Sequence, residues 1–560
     1  MNQQTRNKNN PMHRIKFSLA HFPFSILLCL LTMSSYAQKD TTKKVDIMST
    51  FKPVLRKPVK IELNPTQLTT DSTKQKLDYN IPADNLFYSY QAIPIQPVAL
   101  TMDSTLDLGT RGYLKAGIGN FATAFVQGGV SFGDGKKQLL NVYADYISQK
   151  GKIDFQDHKK LTLKANGSYF LPKNEAYGSG AITMADNYLY GYDHSVINYK
   201  KNDSIHNQFQ EVDLKAGYRN TVPSEYGISY DPNVEIKTFA SKSKLSESSL
   251  ILAAPVKKEF GDAFAINIEG KGDITTYTSK NLPSNVKFSN NIFSLAGSLS
   301  YSSPKFSVTG GIVPTWNNGK FVWLPNVYGE APITIKGQTV TFQAGWIGRY
   351  VKNTFGNLIQ TNPYLQTISS QTNTKEVEYY AGLKSSVGKH FSVSGKAAFV
   401  AISNMPFFIN NPNDEKSFII SNESRVNDIR VHGDLSYINQ DKLTLTAGLT
   451  FNGYTGMKDN AKAWGTTPME FNAAFRWWAF KQVMLKADFY AFAGGNYLDK
   501  GSIARPFSGG NDLSAGAEFK FSKRFSAWLD VNNVFNNKYE RWHNYPVYGL
   551  GVVGGVKVNF

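Results

Sequence analysis

From Gly112 to the last residue, apolar and polar side chains change places at every second position, as they do in strands with one oily and one wet face. In the closing stretch Val547–Phe560, one face carries Tyr548, Leu550, Val552, Gly554, Val556, Val558 and Phe560. The other carries Gly549, Gly551, Val553, Gly555, Lys557 and Asn559. Earlier stretches repeat the rule. Leu443, Leu445, Ala447, Leu449 and Phe451 oppose Thr444, Thr446, Gly448 and Thr450; Phe471, Phe475 and Trp477 oppose Glu470, Asn472 and Arg476; Leu513, Phe519 and Phe521 oppose Ser514, Glu518 and Lys520.

The connections alternate as well. Tight turns are predicted at Asp134-Gly135, Gly261-Asp262, Ser302-Ser303-Pro304, Lys336-Gly337, Gly388-Lys389, Asn439-Gln440-Asp441, Lys481-Gln482 and Ser522-Lys523-Arg524, an Asp-Gly between alternating runs being a good hairpin signal. Between them lie longer polar connections near 194–206, 279–289, 354–375, 407–423, 457–468 and 498–510. Short turns on one side and long loops on the other are the habit of bacterial outer-membrane barrels. A soluble sandwich produces the same alternation within strands but not this rhythm between them. The expected fold is therefore all-β, a transmembrane antiparallel β-barrel of about 22 strands. Closure is required physically, because an open edge in hydrocarbon leaves unpaired backbone groups at several kcal/mol each. Residues 207–260 and 321–345 admit more than one division into strands.

The first 110 residues read differently. Residues 1–37 have the layout of a secretory signal: basic Arg6, Lys8, Arg14 and Lys16, an apolar centre at Ile26-Leu27-Leu28-Cys29-Leu30-Leu31, and a small-x-small site at Ser35-Tyr36-Ala37. The expected mature start is Gln38, and either Met1 or Met12 fits as the initiator. Leu28 before Cys29 is not the small residue a lipoprotein site needs. Residues 38–110 are rich in Pro and Lys and lack periodicity, which predicts an extended periplasmic segment, long enough to thread partly into a lumen. Residues 111–560 form the barrel.

Composition narrows the function. The single cysteine, Cys29, lies in the leader, so the mature chain has neither disulfides nor thiolate metal sites. The formal net charge is +18, four of it from the leader, and it is spread singly rather than clustered as nucleic-acid binding would require. Anionic lipopolysaccharide around the wall, anionic solutes within it, or simple solvation of loop lysines account for it. No H-E-x-x-H spacing or phosphate loop is present. The expectation is a protein that is not an enzyme and needs no cofactor or metal. Arg476, Lys486, Asp488, Glu518, Lys520 and Lys557 fall on the polar face of the last strands, where they either set a field across the lumen or pair to stabilise its wall. Trp316, Trp323, Trp346, Trp477, Trp528 and Trp542 are candidates for the interface belts, with some free to point inward.

The segment Asp530-Val531-Asn532-Asn533-Val534-Phe535-Asn536-Asn537-Lys538-Tyr539-Glu540, followed by a final strand ending on Phe560, resembles the last hairpin of the TonB-dependent receptor barrels. Phe51-Lys52-Pro53-Val54, Tyr79-Asn80-Ile81-Pro82 and Pro94-Ile95-Gln96-Pro97, with Gln38 after the cleavage site, resemble plug-less relatives in Bacteroidota. The resemblance implies an outer-membrane location and solute transport or uptake, with TonB or another envelope protein engaging residues 38–110. Val45, Asp46, Ile47, Met48 and Ser49 are the candidate TonB box, set against an arbitrary extended pentapeptide. Phe560 is the implied signal to the barrel-assembly machinery. The chain departs from the family in having no room for a full plug, which puts energised import in doubt. A binding or scaffolding barrel in an envelope complex is the alternative. Membrane lipid and lipopolysaccharide are expected partners in either case; nucleic acid is not.

Overall fold

The computed structural model describes residues 111–560 apart from 201–204, 281–285, 336, 367, 369, 415, 440–441 and 500–502. Long strands run antiparallel, each hydrogen-bonded to the next in the chain, and the first, Gly112–Gly119, pairs with the last, Gly551–Asn559. Register across that seam runs from Tyr113 opposite Asn559 to Gly119 opposite Val553, and Gly112 and Phe560 exchange backbone hydrogen bonds at 2.8 and 2.9 Å. The sheet contains 23 segments. Ile228–Tyr230 and Asn233–Ser241 both pair with Leu245–Phe260, so they are one stave interrupted at Asp231-Pro232, and the barrel has the 22 staves expected.

Physical chemistry sorts the two faces. Leu114, Leu163, Leu214, Ile268, Leu295, Phe342 and Leu449 are exposed on the outer wall. Their neighbours in sequence turn inward. At the turn end the outer wall carries contiguous aromatic pairs, Phe264 with Tyr301, Tyr301 with Phe306, Phe391 with Tyr437 and Phe519 with Phe521, at ring distances of 4.6 to 5.5 Å. Toward the loop end Trp316, Phe321 and Trp323 form the opposing cluster. From Leu250 to Phe260 the outward face is apolar except for Lys258, whose ammonium lies 5.4 Å over the Phe260 ring near the turn end; at a rise of ~3.3 Å and a tilt of ~40° this spans ~25 Å, the height of an outer-membrane belt. Closure, belt and connection pattern together are those of an outer-membrane barrel.

The turns are as short as expected. At the first, the Asp134 carboxylate accepts the backbone N–H groups of Lys136, Lys137 and Gln138 at 2.9, 2.8 and 3.2 Å, which holds its pKa down to about 2. The loops are longer and structured. They contain a helix, Phe355–Thr361, and three small hairpins, Met405–Asn410 with Phe418–Glu423, Asn496–Leu498 with Ala504–Pro506, and Glu540–Trp542 with Tyr545–Pro546.

Polarity inverts along several staves as they rise toward the loops. In Leu245–Phe260 the outward positions run from apolar Leu252 and Leu250 to polar Ser248 and Ser246, while the inward positions end on fully buried Leu245. Phe209, Phe239 and Tyr277 make the same exchange on neighbouring staves. Above the belt these strands stop behaving as a membrane wall and become the sheet of a water-soluble core, whose other half is supplied by the loops. That inversion is why the division of 207–260 is ambiguous in the sequence, since the hydrophobic face changes side partway along each strand.

Candidate functional site: the capped mouth and the lumen wall

The loops close over the barrel mouth around one hydrophobic cluster. Phe209, Phe239, Leu245 and Tyr277 from the staves pack with Phe355, Leu358, Ile359 and Leu365 of one loop, Phe408 and Phe418 of a second, and Trp542 and Tyr545 of a third. Tyr545 stacks on Tyr364 at 3.5 Å and donates its hydroxyl to the Lys416 carbonyl. Burial pushes both tyrosines well above the usual phenol range.

Two carboxylates fasten this cap. Glu247, on a stave, accepts from Phe355 N at 2.8 Å, Gly356 N at 3.3 Å and the Gln371 amide at 2.9 Å, so it satisfies the first N–H groups of the helix. Thr354 completes that end by accepting from Asn357 N at 3.1 Å. Glu423, with no exposed surface, accepts from Arg425 N, Lys458 N, Asp459 N and Asn460 N at 2.8 to 3.2 Å, tying one loop hairpin to the next loop.

The segment that resembles the receptor family does similar work. Asn533, in the left-handed region at φ 49°, donates to the carbonyls of Asn537 and Tyr548 at 2.7 and 2.8 Å and accepts from Asn537 N at 3.0 Å. Asn536, at φ 54°, accepts from Leu550 N at 2.9 Å. Buried Tyr539 donates to Asp512 at 3.2 Å, while Phe535 stays half exposed. Asparagine suits these positions because it tolerates positive φ and bonds local backbone.

Beside the cap a cavity of about 440 Å³ opens among five loops. Asp193, His194, Asp499, Glu540 and His543 line it. His194 stacks on Tyr192 at 4.1 Å and His543 on Tyr497 at 3.8 Å. Among the described residues no group of three or more His, Cys, Asp or Glu is arranged to hold a metal ion.

Within the lumen, the six charged residues singled out in the sequence all meet partners. Arg476 bonds Asp488 at 2.8 and 3.1 Å, Lys486 reaches Asp530 at 2.8 Å, and Lys557 reaches Glu518 at 3.4 Å. Lys520 lies 4.1 Å over the Trp478 ring. Lys115 on the first stave joins the group through Asp530 at 3.5 Å. A second network, which sequence reasoning missed, gathers Arg349, Glu376, Glu378, Lys396, Asp428 and Arg430 from four adjacent staves. Glu378 is 2.5 Å from Lys396 and 3.6 Å from Arg349, Arg430 is 2.9 Å from Asp428 and 3.7 Å from Glu376, and Arg349 also bonds Glu376. Glu378 and Asp428 have no exposed surface. The available signal was the spacing Glu376-x-Glu378 and Asp428-x-Arg430 at period two, which puts each pair on one face.

Trp316, Trp323, Trp346 and Trp477 face outward, whereas Trp528 points into the lumen and Trp542 into the cap. Phe560 is exposed on the outer wall at the turn end. The segment Val45–Ser49 lies outside the described residues.

No protein-family profile and no curated protein sequence matches the chain. Solved structures do match in fold. The chain is similar to the ferric enterobactin receptor of Pseudomonas aeruginosa at 12% identity and TM-score 0.58, with 80% of each chain covered. It is similar to the FrpB iron transporter of Neisseria meningitidis at 11% identity and TM-score 0.59, covering 80% of this chain and 81% of that one. The siderophore receptor PirA of Acinetobacter baumannii gives 10% identity and TM-score 0.60 over 80% of both. The described wall is thus a 22-stave barrel of the fold seen in siderophore receptors.

Proposed function

We propose that this protein is a solute-uptake barrel, related to TonB-dependent receptors but without a full plug, in which the folded cap is the gate. The observation that carries the reading is the pairing of a hydrophilic, charge-lined wall with a mouth roofed by a packed apolar core. A lumen that only stabilised a wall has no need of such a roof. Solute first meets the histidine- and carboxylate-lined cavity beside the cap. Passage then requires the loops to shift, with residues 38–110 available as a handle on the periplasmic side, through the Val45–Ser49 segment or another part. The names of the fold neighbours, ferric enterobactin receptor and iron transporter, support uptake as the class of activity.

A second reading rests on the same roof: a permanently sealed barrel serves as a binding or scaffolding subunit. Conductance of the purified protein in planar bilayers separates the two. Full-length protein, a variant lacking residues 38–105, and that variant with Glu247→Gln and Glu423→Gln should conduct in rising order. Silence in all three would sink the transport reading.

A further inference from the structure

The outward faces of four neighbouring staves change chemistry above the apolar belt. On Asn233–Ser241, Leu245–Phe260, Phe264–Ser279 and Val286–Ser302 the belt ends at Ile236, Leu250, Ile274 and Phe293, all exposed. Continuing toward the loops, the same outward parity gives only hydroxyls and other small or amide side chains, among them Thr238, Ser246, Ser248, Thr276, Thr278 and Ser289. Lysines crown the series. Lys242, Lys244, Lys280 and Lys287 are exposed at the tops of these strands.

Register brings the lysines together. Lys280 N donates to the Lys244 carbonyl at 3.2 Å, and Lys287 stands opposite Thr278, which in turn stands opposite Ser246. Lys242 Nζ is 2.8 Å from His206 on the preceding stave. Among the described residues carboxylates do not neutralise the patch, because those of the same strands take the inward parity: Glu247 is committed to the helix N-terminus and Asp273 to Lys352. The outward acid at its edge, Asp186, meets His206 at 3.3 Å. Around the rest of the described rim outward lysines at this height are fewer: Lys150 and Lys159 stand on adjacent staves with Asp157 opposite Lys150, and Lys375 stands alone.

We propose that this face binds the phosphorylated headgroup of an outer-leaflet glycolipid, independently of what crosses the lumen. Acyl chains lie against Ile236, Leu250, Ile274 and Phe293. The sugars meet the hydroxyl rows, and the phosphates meet the ammonium groups above them. The order apolar, hydroxyl, cation along each strand repeats the order acyl chain, sugar, phosphate of such a lipid met from the membrane interior. A patch recruited only for solubility would need neither the hydroxyl rows nor one sign of charge.

The test uses full-length protein in neutral detergent, with heat-modifiability confirming folding, and titrates bisphosphorylated lipid A, dephosphorylated lipid A and inorganic phosphate by native mass spectrometry. The triple variant Lys244→Gln/Lys280→Gln/Lys287→Gln is compared with a turn-end control, Lys258→Gln/Lys305→Gln. Each lysine removed should weaken binding of the bisphosphorylated lipid about fivefold, on the order of a hundredfold for three, with the control unchanged. Dephosphorylated lipid A should bind the unaltered protein as weakly as the bisphosphorylated form binds the triple variant. Equal affinity of triple variant and unaltered protein overturns the proposal. So does equal weakening in the control, and so does inorganic phosphate competing at the lipid's own concentration, which would mark a simple anion site.

Discussion

Lys115 Nζ stands 3.9 Å above the ring of Trp528, two staves away across the seam where the barrel closes. The intervening last stave presents Gly555 there, opposite Gly117 on the first. A Cβ on Gly117 would lie 2.4 Å from the Trp528 ring, and one on Gly555 would lie 1.9 Å from the Ala116 carbonyl oxygen. The glycine pair is thus the opening through which a lysine reaches tryptophan and Asp530. Gly117→Val should displace Trp528 and lower stability by about 1–3 kcal/mol, read as an earlier loss of heat-modifiable migration on gels, while Gly270→Val, with open space around its Cβ, should leave it unchanged.

The network around Glu378 predicts a larger effect. Removing one partner leaves buried charge uncompensated, so Glu378→Ala should cost about 3–5 kcal/mol. Thermal unfolding in detergent measures it. The double variant Glu378→Gln/Lys396→Met should recover much of the loss; no recovery would show that the two do not act as a pair.

Acid should loosen the cap at Glu423. Burial pushes this carboxyl up, but the N–H groups of Lys458, Arg425 and Asn460 outweigh it and hold its pKa below the usual range. A depressed pKa stabilises the folded contact fully above the ordinary carboxylate range, and that stabilisation is lost as pH falls through the lowered value. Limited proteolysis within 456–468 should therefore rise only in strong acid for the native protein. For Glu423→Gln it should be high at every pH; a pH profile unaltered by that substitution contradicts the latch.

Cap and wall should come apart under the right substitution. Leu245 is 1% exposed in the cap, and Ser246 beside it faces outward. Leu245→Asp should expose the loops to protease and leave the staves protected. Ser246→Asp should leave both loops and staves protected.

Much of the wall was legible because a membrane barrel enforces one rule, period two with the oily side out, and because its turns are too short to disguise. The stave count and the tight turns follow from that rule. Strands near the cap broke it. Phe209, Phe239 and Tyr277 are inward aromatics surrounded by polar outward neighbours, so their local alternation points to the wrong face unless the loops that cover them are known. The cap itself was illegible, since Glu247 to Phe355 and Glu423 to Asn460 join residues whose partnership no local spacing announces. Asn533 and Asn536 were noticed for their resemblance to a family; their geometry now supplies a reason for the residue type.

Truncating the Phe560 side chain separates two roles of the chain end. Its backbone closes the seam against Gly112, while its side chain is exposed on the outer wall. Phe560→Ala should refold in detergent like the native protein and fail selectively in insertion assays that include the assembly machinery. Equal insertion of both in that assay would assign the ring to lipid contact alone.

The inversion of polarity along the staves bears on how such a protein is made. Phe355, Phe418, Trp542 and their neighbours cannot meet until their loops have crossed the bilayer, and no nucleotide is at hand on the far side to pull them. Once across, each buried side chain contributes about 1.5–3 kcal/mol, and the dozen or so in the cap make the return crossing prohibitive. In energetic terms the packed cap is a lock on the loop side of the wall: drawing any one loop back means opening that core first.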